Sequence, residues 1–362
     1  MNGEKKIVFE NNRTFVGFGF GAELSAVFEV AVNTSMVGYQ EVVSNPAYFG
    51  KMVVFTYPMI GNCGLSDEDY ESKSITAGAI IVREYNDFPS NFRYTKTLSE
   101  GMDECGVPGI HGVDTRQIAV MLRNEGIMRA ALVERKMPRE EVMGLFKSRI
   151  QACRLSEISC KKLWYSRTPN HCCNIIAVDC GITNSVVRSL NKRGCNVIIV
   201  PFDISKESIA AMHPDGIIIS GGPEFPEDAS VVAGLIKAFS EDYPVFGIGL
   251  GQLLIATAFG ADIRKMKTGH HGSNHPVIDI ETGRIEIVSQ SHGYAVDEQS
   301  LAATGMSVTH RNLFDGTIEG IKSRTGNVFS VQFNPESSPD AGDGSCLFDR
   351  FVRAATVFSA GR

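Results

Sequence analysis

The sequence predicts a two-domain α/β protein: a β-rich mixed domain first, then a domain built on a central, mostly parallel sheet. Three observations predict it. The 362 residues are too many for one ordinary domain and about right for two. Short apolar runs separated by glycine fill the early part of the chain, with few helical periods between them. After Asn174, continuous apolar runs alternate with helical stretches, as in a parallel sheet covered on both faces.

In the first half the β-type runs are 6–10, 14–19, 26–32, 52–56 and 79–83. One helix is marked at both ends: Asp114 with Gln117 resembles a capping box, Ile118, Met121 and Leu122 form a stripe, and Gly126 supplies the stop. A second helix is expected over 138–149. Residues 151–173 are polar, poorly periodic and contain the single tryptophan, Trp164, so they read as a linker between domains 1–150 and 174–362. Beyond it the pattern gives strands at 175–178, 196–200, 216–220 and 245–248. Helices are expected at 184–192, 205–212, 229–239 and from Gln252 onward.

Composition narrows the function classes. Hydrophobic residues at 43% and charged residues at 21% suit a globular chain with a sizeable core. A net charge of -6 argues against a nucleic-acid-binding surface. No apolar run approaches the roughly 18–20 residues of a membrane span, and the start lacks the apolar stretch of a signal peptide. The 9 cysteines are odd in number; Cys172 and Cys173 adjoin, and the rest are scattered, as for reduced thiols of a cytoplasmic protein.

Ligands of such sheets gather at the carboxyl ends of the strands. Three loops stand out there: 220–224 (SGGPE), 247–251 (GIGLG) and 333–336 (FNPE). The second has the form of a nucleophile elbow, in which flanking glycines allow a turn tight enough to project the central side chain above the sheet. With the other two loops, this half resembles the flavodoxin-like class I glutamine amidotransferase domain. Segments 33–41 (NTSMVGYQE), 56–62 (TYPMIGN), 89–93 (PSNFR), 112–116 (GVDTR), 269–276 (GHHGSNHP) and 289–293 (SQSHG) extend the likeness. In order and over nearly the whole chain, they resemble the small, glutaminase subunit of carbamoyl phosphate synthetase.

The resemblance implies a subunit that hydrolyses glutamine and passes ammonia to a large ATP-grasp subunit, which makes carbamoyl phosphate from bicarbonate and ATP. It implies no cofactor and no metal of the small subunit's own. The chemistry needs a thiolate nucleophile, an imidazole base, a carboxylate that orients the base, and backbone N–H groups for the oxyanion.

Laid on that pattern without a gap, the nucleophile position is Gly249 and the base position is Asn334; Glu336 is the orienting carboxylate. An amide does not accept a proton near neutral pH. The family's substrate-contacting positions correspond to Ala47, Glu224, Leu253, Ser291 and Tyr294, with Gln252, His292 and Gly293 in the same pocket, and the oxyanion donors to the N–H groups of Gly222 and Leu250. The leading expectation is therefore a catalytically silent small subunit supporting ammonia-dependent synthesis by a large partner. The alternatives are an enzyme of different chemistry that uses the vacated pocket for a small molecule, and a small-molecule sensor or interaction module. Cys180 and Cys346 are candidate replacement thiols, and His270, His271 and His275 are read as a structural loop.

Overall fold

The computed structural model describes residues 3–147, 153–224, 226–337 and 346–361. The chain divides into two compact units, Met1–Ala152 with Lys267–His271, and Cys153–Met266 with Gly272–Arg362.

The first unit is a closed barrel. Its strands follow the order Glu4–Phe9, Thr14–Gly21, Pro108–His111, Ala79–Ile81, Lys51–Phe55, Ala26–Asn33, Arg129–Glu134. Successive strand residues face opposite sides. Val53 and Ile80 accordingly join one apolar cluster with Leu98 and Met102, while Val54 and Ile81 join another with Ile118 and Leu122. The helix Thr115–Glu125 begins where Asp114 accepts a hydrogen bond from the Gln117 N–H (2.9 Å) and ends at Gly126, whose φ is 97°. A full capping box occurs at the preceding helix, Leu98–Glu104, between Thr97 and Glu100. The next helix is Arg139–Lys147, and the expected end of that helix at Arg149 lies outside the described residues. Residues 267–271 count with this unit because Ile127 and Thr34 donate to the carbonyls of Lys267 (2.9 Å) and His271 (3.1 Å).

The second unit carries a ten-stranded sheet. Its centre is parallel, in the order Cys195–Pro201, Cys173–Asp179, Gly216–Ile219, Val245–Ile248, Val328–Val331. Alternate residues again enter two cores. Ile176, Val178, Ile217 and Ile219 pack with Val232 and Ile236 of the helix Ser230–Phe239 and Leu254 of the helix Leu250–Ala258. Ile175, Ala177, Ile218 and Phe246 pack with Val186 and Leu190 of Asn184–Lys192 and Phe348 and Phe351 of Cys346–Ala360. Both faces are covered, which is why these strands are apolar throughout.

Two features correct the sequence reading. The stretch 151–173 is not a plain linker: Leu155–Ile158 is helical, and Trp164–Ser166 forms an antiparallel edge strand on Cys195–Pro201. The sheet also continues past its parallel centre through Ile318–Lys322, Ser307–Asn312, Ile263–Asp279 and Ile285–Val296. These strands are part polar and part exposed, so they lack the continuous apolar signature of the central ones.

Candidate functional site

The buried strand Val245–Ile248 runs into Gly249, and the helix Leu250–Ala258 starts at the next residue. Gly249 has φ 56° and ψ -111°, a backbone conformation that costs a side-chain-bearing residue about 1–3 kcal/mol. Its N–H donates to the Val331 carbonyl (2.8 Å), and its carbonyl accepts from Gln252 (3.0 Å). The flanking glycines are fixed by packing. A Cβ on Gly251 would lie 2.3 Å from the Ile219 carbonyl oxygen, and one on Gly247 would lie 2.5 Å from Ile255 Cδ1. At Gly249 a Cβ would meet only Gly221 Cα at 3.6 Å and the Gln332 oxygen at 3.9 Å. The elbow therefore holds its turn and has room for a side chain, yet presents none.

The loop that follows Gly216–Ile219 lies against it. Ser220 Oγ accepts from the Cys180 N–H and donates to the Gly221 carbonyl, both at 2.9 Å. Gly222 approaches the Cys180 carbonyl so closely that an added Cβ would stand 1.9 Å from its oxygen. Half-buried Glu224 turns its carboxylate to the Gly293 N–H, which donates to Oε1. The Leu250 N–H opens the helix, ahead of the first intrahelical bond, and is one of the donors a helix start offers to an anion.

The third loop follows Val328–Val331. Asn334 donates its backbone N–H to the Ser289 carbonyl (2.9 Å) and its side-chain Nδ2 to Ser291 Oγ (3.3 Å). Glu336 Oε1 accepts from the Thr183 hydroxyl (3.3 Å). On the strand Ile285–Val296, His292 donates from Nδ1 to the Tyr294 carbonyl (3.0 Å), and its Nε2 lies 3.3 Å from Glu319 Oε1. His292 and Glu319 are buried, and Tyr294 is partly buried. Lys265 Nζ stands 5.9 Å from the centre of the Tyr294 ring.

The other expected residues have their described partners within their own units. Gln252 is wholly buried; its amide donates to the Ile318 carbonyl (3.4 Å) and accepts from Ser330 Oγ (3.5 Å), within the core beneath the elbow. Leu250 and Leu253 belong to that same core. Ala47 is in the first unit, in the short 3-10 turn Pro46–Tyr48, with its N–H on Asn45 Oδ1 (2.9 Å).

Neither spare thiol suits a nucleophile. Cys180 is completely buried, and burial pushes its thiol well above the usual range. Cys346 lines a groove of about 840 Å³ with Tyr243, Asn327, Arg350 and Arg353, and burial raises its thiol too. Tyr243 and Asn327 just precede the strands Val245–Ile248 and Val328–Val331, so this groove lies at the opposite end of the sheet. The histidine loop packs on aromatics: the His271 ring centre is 5.5 Å from that of Tyr48, and His275 is 6.1 Å from Phe314.

The glutamate on Gly293 is the feature the sequence left unread. Glu224 was among the positions the resemblance assigned to the pocket, but its partner is 69 residues away.

The chain is similar to known proteins in both halves. A family model described as "Carbamoyl-phosphate synthase small chain, CPSase domain" matches residues 7–132, and "Glutamine amidotransferase class-I" matches residues 176–354. The carbamoyl phosphate synthase small chain of Listeria innocua is 39% identical over 356 residues, covering 98% of both chains. The chain belongs to the carbamoyl phosphate synthase small chain family. The small chain of Staphylococcus epidermidis is 40% identical over 350 residues, 96% of this chain and 95% of its own. A solved glutamine amidotransferase of Thermotoga maritima covers 52% of this chain and 94% of its own at 15% identity, with a TM-score of 0.38. For the small-chain family, the amidotransferase match spans the elbow, the Gly222 loop and Asn334 together. Among the described residues no helix is long and apolar enough to cross a membrane.

Proposed function

We propose that this chain is a carbamoyl phosphate synthase small subunit that does not hydrolyse glutamine, and that it supports a large ATP-grasp subunit in synthesis from free ammonia. One observation carries the reading: the elbow keeps its turn at φ 56°, but the residue there is glycine. Amide hydrolysis by this route needs an atom that attacks the carbonyl carbon and a group that takes up its proton. Gly249 supplies no attacking atom. Asn334, in the facing loop, uses its amide as a donor to Ser291 and takes up no proton at neutral pH. Backbone donors at Gly222 and Leu250 alone give ~10³-fold over water, far short of a working glutaminase.

Glu224 supports the silent reading over a repurposed pocket. Its carboxylate occupies the Gly293 N–H, a donor that an anionic ligand entering beside the elbow would otherwise use.

The test is reconstitution with a cognate large chain. Carbamoyl phosphate formation from ammonium, bicarbonate and ATP is expected to require or be raised by this chain. The same mixture with glutamine in place of ammonium is expected to give none. Glutamine-dependent synthesis at the ammonium-dependent rate would reject the proposal.

A further inference from the structure

Three thiols meet at the amino end of the parallel sheet. The strand register sets Cys173, the first residue of Cys173–Asp179, beside Cys195, the first residue of Cys195–Pro201. Their Sγ atoms are 3.4 Å apart. Cys172 brings its own Sγ to 3.7 Å from that of Cys173, held by its N–H bond to the Gly194 carbonyl (2.8 Å). All three sulfurs lie within 4.8 Å of one another. The sequence reading took the cysteines as scattered thiols; the parallel pairing, which joins positions 22 apart, is what gathers them.

The spacing suits one ion. Metal–sulfur bonds of about 2.3 Å place sulfurs about 3.8 Å apart in a tetrahedral site and about 4.0 Å apart in a trigonal one. Cys173 and Cys195 are buried and form the walls, while exposed Cys172 leaves a way in from solvent. Two apolar thiols packed in a core have no need of an exposed third beside them. The buried Asp215, which accepts the Asn174 N–H (2.8 Å), adds negative charge close by. Thiolate sets of this kind select soft, d¹⁰ ions.

We propose that Cys172, Cys173 and Cys195 bind a thiophilic d¹⁰ cation of the zinc type through three thiolates, with solvent in the fourth position. The site is remote from Gly249, which follows a central strand at the carboxyl end of the sheet, so it contributes to stability and not to chemistry at the elbow.

The test uses the full-length, reduced, metal-free chain, titrated with Cd²⁺ and then challenged with Zn²⁺. A sulfur-to-cadmium absorption band saturating at one equivalent and displaced by zinc is expected, with a higher unfolding temperature for the loaded protein. Cys172→Ser, at an exposed position that leaves folding intact, is expected to remove roughly one third of the band and weaken binding at least about tenfold. A chain with Cys63, Cys105, Cys153 and Cys346 all replaced by serine should retain the full band. Absence of a saturable band, a band untouched by Cys172→Ser, or a band lost in the four-serine chain would overturn the proposal. So would a Cys173–Cys195 disulfide formed with peroxide in a chain that takes up no cadmium.

Discussion

Beside the elbow residue, neighbours leave the flanking glycines no space for a side chain, whereas in the loop 333–336 ordinary side chains carry the interactions. Gly247 and Gly251 are locked by Ile255 and Ile219, and Gly222 by Cys180, whatever the central residue is. The side chains of Asn334 and Glu336 hydrogen-bond to those of Ser291 and Thr183. The difference teaches which part of the site is tied to the fold. Packing constrains the glycines of the turn, while the residues at 249 and 334 can be exchanged at little cost to their neighbours.

The largest expected effect breaks the framework. Gly222→Ala drives a methyl group into the Cys180 carbonyl oxygen and should destabilise the chain by about 3 kcal/mol in urea unfolding. A loss below about 1 kcal/mol would show the loop to be looser than its contacts imply. Gly249→Cys sharpens the contrast, since the site has room but the wrong backbone angles. It should cost about 1–3 kcal/mol from conformation alone, and no glutaminase activity should appear with Asn334 still in place.

Asn334→His is expected to change stability by less than about 1 kcal/mol, because it exchanges one partly exposed hydrogen bond to Ser291. Paired with Gly249→Cys, it should give the first measurable glutamine hydrolysis if Glu224 is also replaced by glycine. Failure of the triple variant to hydrolyse glutamine while folding normally would mean that the remaining pocket changes matter more than the missing pair.

The smallest effect is graded with pH. His310 lies buried beside Thr309 and Phe333, and burial holds its imidazole below the ordinary value of 6.5; Asp279, Glu319 and Glu281 act upward and Arg350 downward. The unfolded chain thus takes up this proton first on acidification. The contribution is complete above about pH 6.5 and is lost as pH falls through the lower folded value. His310→Gln should flatten the stability slope in that range, as measured by urea midpoints from neutral to mildly acidic pH.

The central strands were legible because burial on both faces writes them as unbroken apolar runs such as 175–178 and 245–248. The elbow was legible from glycine spacing, since close approach at Gly247, Gly222 and Gly251 admits nothing larger. Trp164–Ser166 was not, because an exposed edge strand has no apolar face to mark it. The inward turn of Gln252 was hidden for another reason: its partners Ile318 and Ser330 are 66 and 78 residues away. Convergence of Cys172, Cys173 and Cys195 depends on strand register, which no local pattern fixes.

The most direct measurement is covalent trapping with an electrophilic chloroketone analogue of glutamine, read by intact mass and peptide mapping. The wild-type chain should show no adduct that free glutamine protects against, while Gly249→Cys should gain one at the elbow. A glutamine-protected adduct on any residue of the wild-type chain would contradict the claim that the attacking group is gone.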